Sequence, residues 1–344
     1  MACGGTKLGQ AAGSSNAAGT LLGEKPYCPA GYMRLTRRTR RLLLALCLYL
    51  AVCTIGGVYL ADATLHPVRR PLTEDEVAMV RQSAQALDAD LDDAAITASD
   101  GVLLRAWSLR PHRANGDDVL LLHGLADNRL GMTGYAQLLV THGYTVLLPD
   151  ARGHGVSGGV LATYGLLERN DIEQWVEFLE ARDHPRCIFG FGESMGASQL
   201  LQALATHLHV CAVAAESPFA TFREIAYDRM GQPFHLGPWL GRTLLRPLVE
   251  VAFLWARWKY GLDMHGISPV DSVAASSIPV LLIHGQIDSN IPVRHSQLIH
   301  IHNPNTRLWE VPGADHCGAI SVAPQEFEHR LLGWLQNRGA NSVH

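Results

Sequence analysis

Cys187-Ile-Phe-Gly-Phe-Gly-Glu-Ser-Met-Gly196 is the stretch from which the rest of the chain is best interpreted. A short apolar run ends in a Gly-x-Ser-x-Gly turn around Ser194, and the next eight residues have helical spacing. A serine that attacks an acyl carbon must project from a tight strand-to-helix turn, which only small neighbours such as Gly192 and Gly196 allow. The pattern predicts that Ser194 is a nucleophile and that the backbone N–H of Met195 faces the oxyanion.

A second Gly-x-Ser-x-Gly match occurs at residues 155–159, around Ser157. It follows Asp-Ala-Arg-Gly-His-Gly and ends in a glycine pair, which is typical of a flexible loop after a strand. No helical pattern follows it at once. We therefore interpret Ser157 as a loop serine and keep Ser194 as the candidate nucleophile.

Apolar segments alternate with amphipathic ones through most of the chain. Two β-like runs flank Asp100-Gly101, a preferred hairpin turn. Uninterrupted apolar strands separated by helices predict an α/β fold with a mostly parallel sheet, helices on both faces and sites at the carboxyl ends of the strands. The predicted strands are 119–122, 145–148, 187–191, 210–215 and 280–283, and the predicted helices lie around 135–140, 168–180 and 198–208.

The region from about 220 to 270 breaks this alternation with prolines, among them Pro233, Pro238 and Pro247, and several aromatic residues. We interpret it as an insertion packed over the site, because ligand sites are commonly apolar concavities. Ordinary helices covering the core are the alternative.

The C-terminal third supplies the partners that a nucleophilic serine requires, a base and a carboxylate that orients it. Asp288 lies in the loop after the strand at 280–283, and His316 lies in a glycine-containing loop after the next apolar run. Asp315 is adjacent to His316, but side chains of neighbouring residues rarely meet as acid and base. The carboxylates without a strand-end setting are Glu310, Asp263 and Asp271.

Several other polar residues lie close to these motifs. Three histidines occupy glycine turns, where we expect them to hold loops by hydrogen bonds: His123, His154 and His284. Glu193, beside the candidate nucleophile, is either a residue that tunes the pocket or a solvent-facing carboxylate.

The motifs together resemble the α/β-hydrolase superfamily from about Ile96 to Leu335. They are 121–128 (Leu-Leu-His-Gly-Leu-Ala-Asp-Asn), 149–157, 192–196, 284–288 and 314–316, with candidate site residues in the chain order Ser, Asp, His. Ser-Pro-Phe (217–219) and Ile-Ser-Pro-Val-Asp (267–271) are similar to serine aminopeptidase-like and dienelactone-hydrolase-like members. The resemblance implies a triad of Ser194, Asp288 and His316, and an oxyanion hole formed by the N–H groups of Met195 and Leu125.

We therefore expect a serine hydrolase that cleaves an ester or related acyl bond and uses no cofactor. The aromatic insertion, together with a membrane anchor predicted for residues 34–63, favours a small-molecule or lipid-like acyl substrate, as in a carboxylesterase or lysophospholipase. An aminopeptidase-like serine peptidase is one alternative, and a hydrolase-fold protein that binds without catalysis is another.

The N-terminal region predicts a membrane anchor. Residues 1–33 have no periodicity and are expected to be disordered, although translation could also start at Met33. A basic flank precedes residues 42–60, which carry no charge over about the 20 residues a membrane-spanning helix needs. We favour an uncleaved anchor (34–63) over a signal peptide, with the N-terminus cytoplasmic and the catalytic domain extracytoplasmic. A linker helix is expected over 64–95, then the hydrolase domain (96–338) and a short tail (339–344).

Composition limits the remaining possibilities. With 47% hydrophobic and 17% charged residues the chain is globular, and a net charge of −4 with no basic stripe beyond the N-terminal region makes nucleic acid an unexpected partner. Cys187, Cys211 and Cys317 have apolar neighbours, so we expect buried thiols and no disulfide. Neither CxxC nor HExxH occurs, so we expect no metal. The oligomeric state stays open.

Overall fold

A computed structural model describes residues 36–339. Within them one eight-stranded sheet has the order β1-β2-β4-β3-β5-β6-β7-β8. The strands β4, β3 and β5 to β8 are parallel to one another, and β2 is antiparallel to β1 and to β4. The strands are β1 Ala89–Thr97, β2 Leu103–Pro111, β3 Asp117–Leu122, β4 Thr145–Pro149, β5 Cys187–Glu193, β6 Ala212–Glu216, β7 Val280–Gly285 and β8 Thr306–Val311.

The helices of the described residues pack against both faces of this sheet or form a separate group above its carboxyl edge. They are α1 Arg37–Leu65, α2 Glu74–Ala86, α3 Thr133–Thr141, α4 Glu168–Asp183, α5 Ser194–Ala203, α6 Phe222–Gly231, α7 Pro238–Arg242, α8 Arg246–Tyr260, α9 Pro269–Ala274, α10 Arg294–His302, α11 Ala319–Val322 and α12 Pro324–Gly339. One apolar cluster joins a sheet face to α2, α3 and α12, and another joins the opposite face to α4, α5, α9 and α10. The predicted α/β fold with a mostly parallel sheet is confirmed.

The segment after α1 differs from the linker helix predicted over 64–95. α2 starts with a capping box in which Thr73 and Glu76 satisfy each other's backbone N–H groups, and it ends at Ala86. The chain then enters β1, which pairs with β2 from Ala89 onward. Because β1 consists mainly of alanines and exposed aspartates, its composition resembles that of a surface helix. Its strand character depends on pairing with β2, which the local pattern does not show.

The insertion at about 220–270 forms the predicted helical cap. It contains α6, α7 and α8, and its buried residues form a third apolar cluster together with Met195 and the end of α1. Within this cluster the Phe222 ring stacks on that of Phe253 and meets that of Phe219 edge-on. The cap has its own small core and is not an extension of the sheet core.

α1 is the one helix among residues 36–339 that is long and apolar enough to cross a membrane, with a mean hydropathy of 2.2. Its first turns contain Arg37, Arg38, Arg40 and Arg41 of the predicted basic flank. The predicted leader, 1–33, the alternative start at Met33 and the tail from residue 340 lie outside the described residues.

The expectation of buried thiols is wrong for Cys187 and Cys211, which form a disulfide. Cys187 begins β5, and Cys211 immediately precedes β6. Because these adjacent parallel strands start side by side, the two cysteines meet at the edge of the sheet opposite to Ser194. Their apolar neighbours are those of strand ends, which look the same in sequence whether or not the thiols are joined.

Candidate active site

Ser194 lies where β5 ends and α5 begins, in a turn that requires small neighbours. Its own φ is 52°, in the left-handed region that a non-glycine residue rarely adopts. A Cβ on Gly192 would lie 2.7 Å from the backbone N of Ala197, and a Cβ on Gly196 would lie 2.4 Å from the carbonyl O of Leu122. Glycine is therefore required at both positions, and the strained turn lifts the Ser194 hydroxyl above the sheet edge.

His316 and Asp288 come from the loops after β8 and β7 and converge on Ser194. The His316 Nε2 atom is 2.9 Å from Ser194 Oγ. Its Nδ1 atom is 2.9 Å and 3.1 Å from the two carboxylate oxygens of Asp288. Because the Nδ1–H donates to Asp288, Nε2 is left to accept the hydroxyl proton of Ser194. This chain of contacts is the one a serine nucleophile needs.

The surroundings of Asp288 keep its carboxylate ionised. Burial acts to raise the pKa of Asp288, but hydrogen bonds from His284 and His316 and from the Ile291 N–H outweigh it and lower the pKa below its usual range. The N–H groups of Asn290 and Ile291 both donate to Oδ1, at 2.9 Å and 2.8 Å. The negative charge opposite the imidazole is thus held in place by the loop backbone.

The rival residues have other contacts. Asp315 accepts from the Ser289 N–H and the His316 N–H, but its carboxylate oxygens bond to no ring atom of His316. Ser157 is buried, donates to the Asp150 carbonyl and accepts from the Arg105 N–H. Glu310 accepts from Gln297, Asp263 caps a 3₁₀ turn and Asp271 accepts from Ser268. None of these groups reaches Ser194 or the His316 ring.

The three glycine-turn histidines hold backbone segments together. The Ala151 N–H donates to His123 Nε2, which leaves the His123 Nδ1–H to donate to the Gly124 carbonyl. Burial and the neighbouring His154 lower the pKa of His123 to about 4, so it stays neutral. His154 contacts the Arg152 carbonyl, and His284 contacts Ser296 and the Ile291 carbonyl. These contacts fix the loops that carry Leu125 and Asp288.

Met195 and Leu125 border the same cavity as Ser194. Met195 is in the first turn of α5, where backbone N–H groups lack acceptors within the helix and the helix dipole is positive. Leu125 follows the His123-Gly124 turn at the end of β3, and the next residue, Ala126, has a φ of 59°. Both predicted oxyanion donors are therefore on the segments that flank the candidate nucleophile.

Two interacting carboxyl groups, those of Glu193 and Glu216, lie close to Ser194, and the sequence analysis considered only Glu193. Burial and the neighbouring Glu216 raise the pKa of Glu193 to about 7. Burial also raises the pKa of Glu216, whose carboxylate accepts from the Tyr135 hydroxyl at 3.0 Å and from the Ala319 N–H at 3.0 Å. The sequence carried a signal for Glu216, because this residue directly follows a predicted apolar strand, as the polar residues of the motifs do.

The cavity above Ser194 has a volume of about 770 Å³ and mostly apolar walls. Its floor contains Ser194 and His316, and the charged side chains on its lining are Asp127, Glu193 and Arg229. Most apolar lining residues come from three segments, namely the end of α1 with the residues after it (Leu60, Ala61, Leu65, Pro67, Val68), α6 with its preceding loop (Phe219, Phe222, Ile225, Met230) and α8 (Val249, Ala252, Phe253, Ala256). The contribution of α1 has no counterpart in the sequence motifs.

No group of three or more His, Cys, Asp or Glu side chains within residues 36–339 is placed to hold a metal ion. The polar groups on the cavity floor are the serine, the histidine and the carboxyl groups described above. They form a nucleophile, a base and an orienting carboxylate in hydrogen-bond contact.

Comparisons with known proteins agree with this architecture. The chain is 27% identical over 246 residues to the uncharacterized protein YqkD of Bacillus subtilis, which covers 70% of this chain and 78% of the relative. An esterase of Pyrococcus furiosus has a similar structure, with a TM-score of 0.64 and 25% identity over 80% of this chain and 98% of that one. A putative lipase of Acinetobacter baumannii shares the fold, with a TM-score of 0.54 and 18% identity over 78% of this chain and 98% of the other.

The sequence model of the α/β hydrolase family matches residues 119–330, which begin within β3, extend past β8 and include all three residues of the Ser194–His316–Asp288 contact chain. The match covers more than half of the chain. This protein belongs to the α/β hydrolase family.

Proposed function

We propose that this α/β hydrolase is a serine esterase that cleaves esters with an apolar acyl group. The observation that carries the proposal is the contact chain Ser194–His316–Asp288 at the floor of an apolar cavity of about 770 Å³. A pocket of this size and polarity accommodates a ligand with a substantial hydrocarbon part.

The geometry supports a two-step acyl transfer. Ser194 Oγ attacks the ester carbonyl while His316 Nε2 takes the hydroxyl proton, and the N–H groups of Met195 and Leu125 stabilise the oxyanion. His316 then protonates the leaving alcohol as the carbon–oxygen bond breaks, which leaves an acyl-Ser194 ester. Water attacks this ester with His316 again as base, and the acid product departs. Asp288 orients His316 and stabilises its charged form.

The walls of the cavity favour an acyl chain over a peptide as substrate. Apolar side chains of α1, α6 and α8 surround the space beside Ser194. An esterase and a putative lipase are among the proteins with similar structures, which agrees with ester cleavage. Burial of each CH₂ group of an acyl chain contributes about 0.8 kcal/mol, so these walls reward longer chains.

Labelling with a fluorophosphonate probe tests the nucleophile. We expect one adduct on Ser194, located by peptide mass spectrometry, and none in Ser194→Ala, whose turnover should fall by about 10⁶ because the triad acts as a unit. Ser157→Ala is the matched control for the second Gly-x-Ser-x-Gly site and should keep the adduct. Absence of an adduct on folded wild-type protein would contradict the proposal and favour a binding role.

A substrate panel tests the ester preference. Acyl esters and lysophospholipids of increasing chain length should be hydrolysed with rising kcat/KM, whereas aminoacyl amides should be turned over far more slowly. Comparable rates on the amides would instead identify a peptidase.

Two features of the chain support the proposal that the hydrolase domain is extracytoplasmic. The arginines at the start of α1 favour a cytoplasmic N-terminus, which puts the hydrolase domain on the extracytoplasmic side. The Cys187–Cys211 disulfide agrees, because disulfides persist in oxidising compartments. In sealed cells, external protease should digest the hydrolase domain, and thiol mapping without reductant should find Cys187 and Cys211 joined. Protection of the domain until the membrane is opened would reverse this orientation.

A further inference from the structure

The helix that is apolar enough to anchor the protein also borders the candidate site. The end of α1 and the residues after it line the cavity that contains Ser194, with Leu60, Ala61, Thr64 and Val68 among the lining residues. Ala61 is buried and belongs to the same apolar cluster as Met195 and Phe222. A helix that serves only as a tether does not need to contact the cavity, so this placement indicates a second role for the end of α1.

Close backbone packing holds α1 against the cap helix α8. A Cβ on Gly57 would lie 2.6 Å from the carbonyl O of Leu248 and 2.8 Å from Val251 Cβ, so the two helices approach as closely as glycine allows. Eight residues before Gly57, the Tyr49 hydroxyl donates to the Leu244 carbonyl at 2.6 Å. Small residues at such positions are typical of helix pairs in membranes.

The end of α1 is fixed by polar contacts. The Asp62 carboxylate accepts from Trp255 Nε1 at 3.0 Å, from Lys259 Nζ at 3.1 Å and from the Tyr260 hydroxyl at 2.7 Å, all on α8. The last carbonyls of α1 accept from the loop beside β4, because the Tyr164 hydroxyl donates to the Thr64 carbonyl and the Ala162 N–H to the Leu65 carbonyl. The wall is therefore a built part of the fold.

The contacts pair rising residue numbers on α1 with those of α8 and of the segment just before it. Tyr49 meets Leu244, Gly57 meets Leu248 and Val251, and Asp62 meets residues 255–260. At 1.5 Å per residue, the two helices run side by side for roughly 20 Å. Since the paired part of α1 includes most of the predicted span from residue 47 on, the adjoining edge of α8 shares its depth in a bilayer.

The surface of the cap agrees with this placement. Large apolar side chains are exposed on α7, α8 and the segment between them: Trp239, Leu244, Leu254 and Trp258. Among the ionic groups of α8, Glu250 lies on a different side, where it contacts Arg223 and His265 of the neighbouring cap segments. The exposed aromatic and aliphatic residues are of the kind found at membrane interfaces.

We propose that α1 is both the membrane anchor and a wall of the substrate cavity, and that the substrate is a lipid of the same bilayer whose acyl chain lies against residues 60–68. This inference rests on the proposed esterase function. It adds the source of the substrate, a lipid leaflet in which the α7–α8 edge of the cap is seated. It also assigns a specificity role to a segment that lies outside the family's matched residues.

A photoreactive probe tests the wall directly. The full chain, reconstituted in phosphatidylcholine vesicles, is treated with a long-chain alkyl fluorophosphonate that carries a diazirine at the far end of the chain. Attachment to Ser194 followed by illumination should cross-link the alkyl tail to residues of α1 or α8. A Ser194 adduct with cross-links only to the sheet side of the cavity would overturn the inference, whereas no adduct at all would overturn the proposed function.

Substitutions on α1 give a kinetic test with a matched control. Ala61→Phe adds bulk at the buried wall, and Ile55→Phe adds it at an exposed position of the same helix that does not line the cavity. We expect Ala61→Phe to lower the ratio of kcat/KM for palmitoyl over acetyl p-nitrophenyl esters at least tenfold, and Ile55→Phe to leave that ratio unchanged. An unchanged ratio in Ala61→Phe, with labelling of Ser194 intact, would remove α1 from the substrate site.

The source of the substrate is tested by placing a lysophospholipid either in the vesicles that hold the enzyme or in a separate vesicle population. Hydrolysis should be at least tenfold faster when enzyme and substrate share a bilayer. Equal rates in the two arrangements, with a constant rate on the soluble acetyl ester, would contradict a membrane source.

Discussion

The strand ends of the sheet and the α1–α8 pair border the same cavity, but they are specified in different ways. At the strand ends, each candidate residue follows its own strand within a few positions, and the parallel register brings the loops together. The α1–α8 pair joins residues nearly 200 positions apart through close packing and one shared carboxylate. Local motifs therefore determine the chemistry, and long-range packing determines what surrounds the substrate.

The largest effect that sharpens this comparison is expected at Asp288. Asp288→Asn removes the charge that holds the His316 tautomer, so kcat should fall by about 10⁴ while the protein stays folded. Asp315→Asn is the matched control, because Asp315 lies in the same pair of loops but bonds to Ser289 and to backbone. Steady-state kinetics on a short-chain ester measure both variants. A loss of similar size in Asp315→Asn would mean that loop geometry, and not the Asp288 charge, supports His316.

A smaller effect is expected at the opposite edge of the sheet, away from the cavity. The double variant Cys187→Ala/Cys211→Ala removes a cross-link between positions 24 residues apart, which should lower the free energy of unfolding by about 3 kcal/mol. Because the disulfide is remote from Ser194, kcat well below the melting temperature should not change. Denaturant unfolding with and without reductant measures the effect. Reductant should destabilise wild type and leave the double variant unaffected.

The contrast also explains which features the sequence reveals. Ser194, Asp288 and His316 could be located because each sits in a short polar or glycine-containing segment directly after an apolar strand, and because the fold aligns strand ends. The same reasoning applies to Glu216, which continues a buried strand. The helical cap could be recognised from its prolines and aromatic residues, although its pairing could not.

Other features were inaccessible for physical reasons. The Cys187–Cys211 bond depends on two strands that start side by side, a fact that follows from sheet order and not from either segment alone. The strand β1 resembles a surface helix in composition, and only its pairing with β2 makes it extended. The role of α1 in the cavity wall depends on Gly57 and Asp62, whose partners lie far along the chain. A glycine within an apolar span does not by itself indicate which segment packs against it.

Substitutions at two adjacent glycines of α1 should affect its packing on α8 differently. Gly57→Ala places a Cβ against the Leu248 carbonyl, which cannot move aside without shifting the helix. We therefore expect the free energy of unfolding to fall by about 2 kcal/mol. Gly56→Ala is the control, because its Cβ would meet only the flexible Leu248 Cδ1 at 3.0 Å. Both variants gain the same helix propensity. The melting temperature of the full chain in detergent should fall for Gly57→Ala and not for Gly56→Ala. An equal change in the two variants would contradict the close contact between Gly57 and Leu248.

The smallest effect is expected where the two regions meet, at Glu193, which lines the cavity beside Ser194. Its pKa is raised to about 7 from an ordinary value of 4.5, by burial first and then by Glu216. The unfolded chain therefore loses its proton at lower pH than the folded chain, so this residue makes stability fall as pH rises from about 4.5 to 7. Glu193→Gln cannot ionise and should be free of that loss. Below pH 4.5 this ionisation should contribute nothing to the difference in stability between the variant and wild type.

At pH 8 the variant should be more stable by about 1 kcal/mol, which is less than the full shift implies because water in the cavity screens part of the charge. Carboxyl groups that do not interact with Glu193, such as Asp118, are common to both proteins and cancel in the difference. Loss of the repulsion between Glu193 and Glu216 acts in the same direction, because it also favours the folded variant at high pH. Denaturant unfolding at pH 4.5, 6 and 8 measures the divergence. A constant difference across these pH values would mean that the Glu193 carboxyl is as well solvated as one on the surface, and that the strand-end chemistry is not sheltered by the cap.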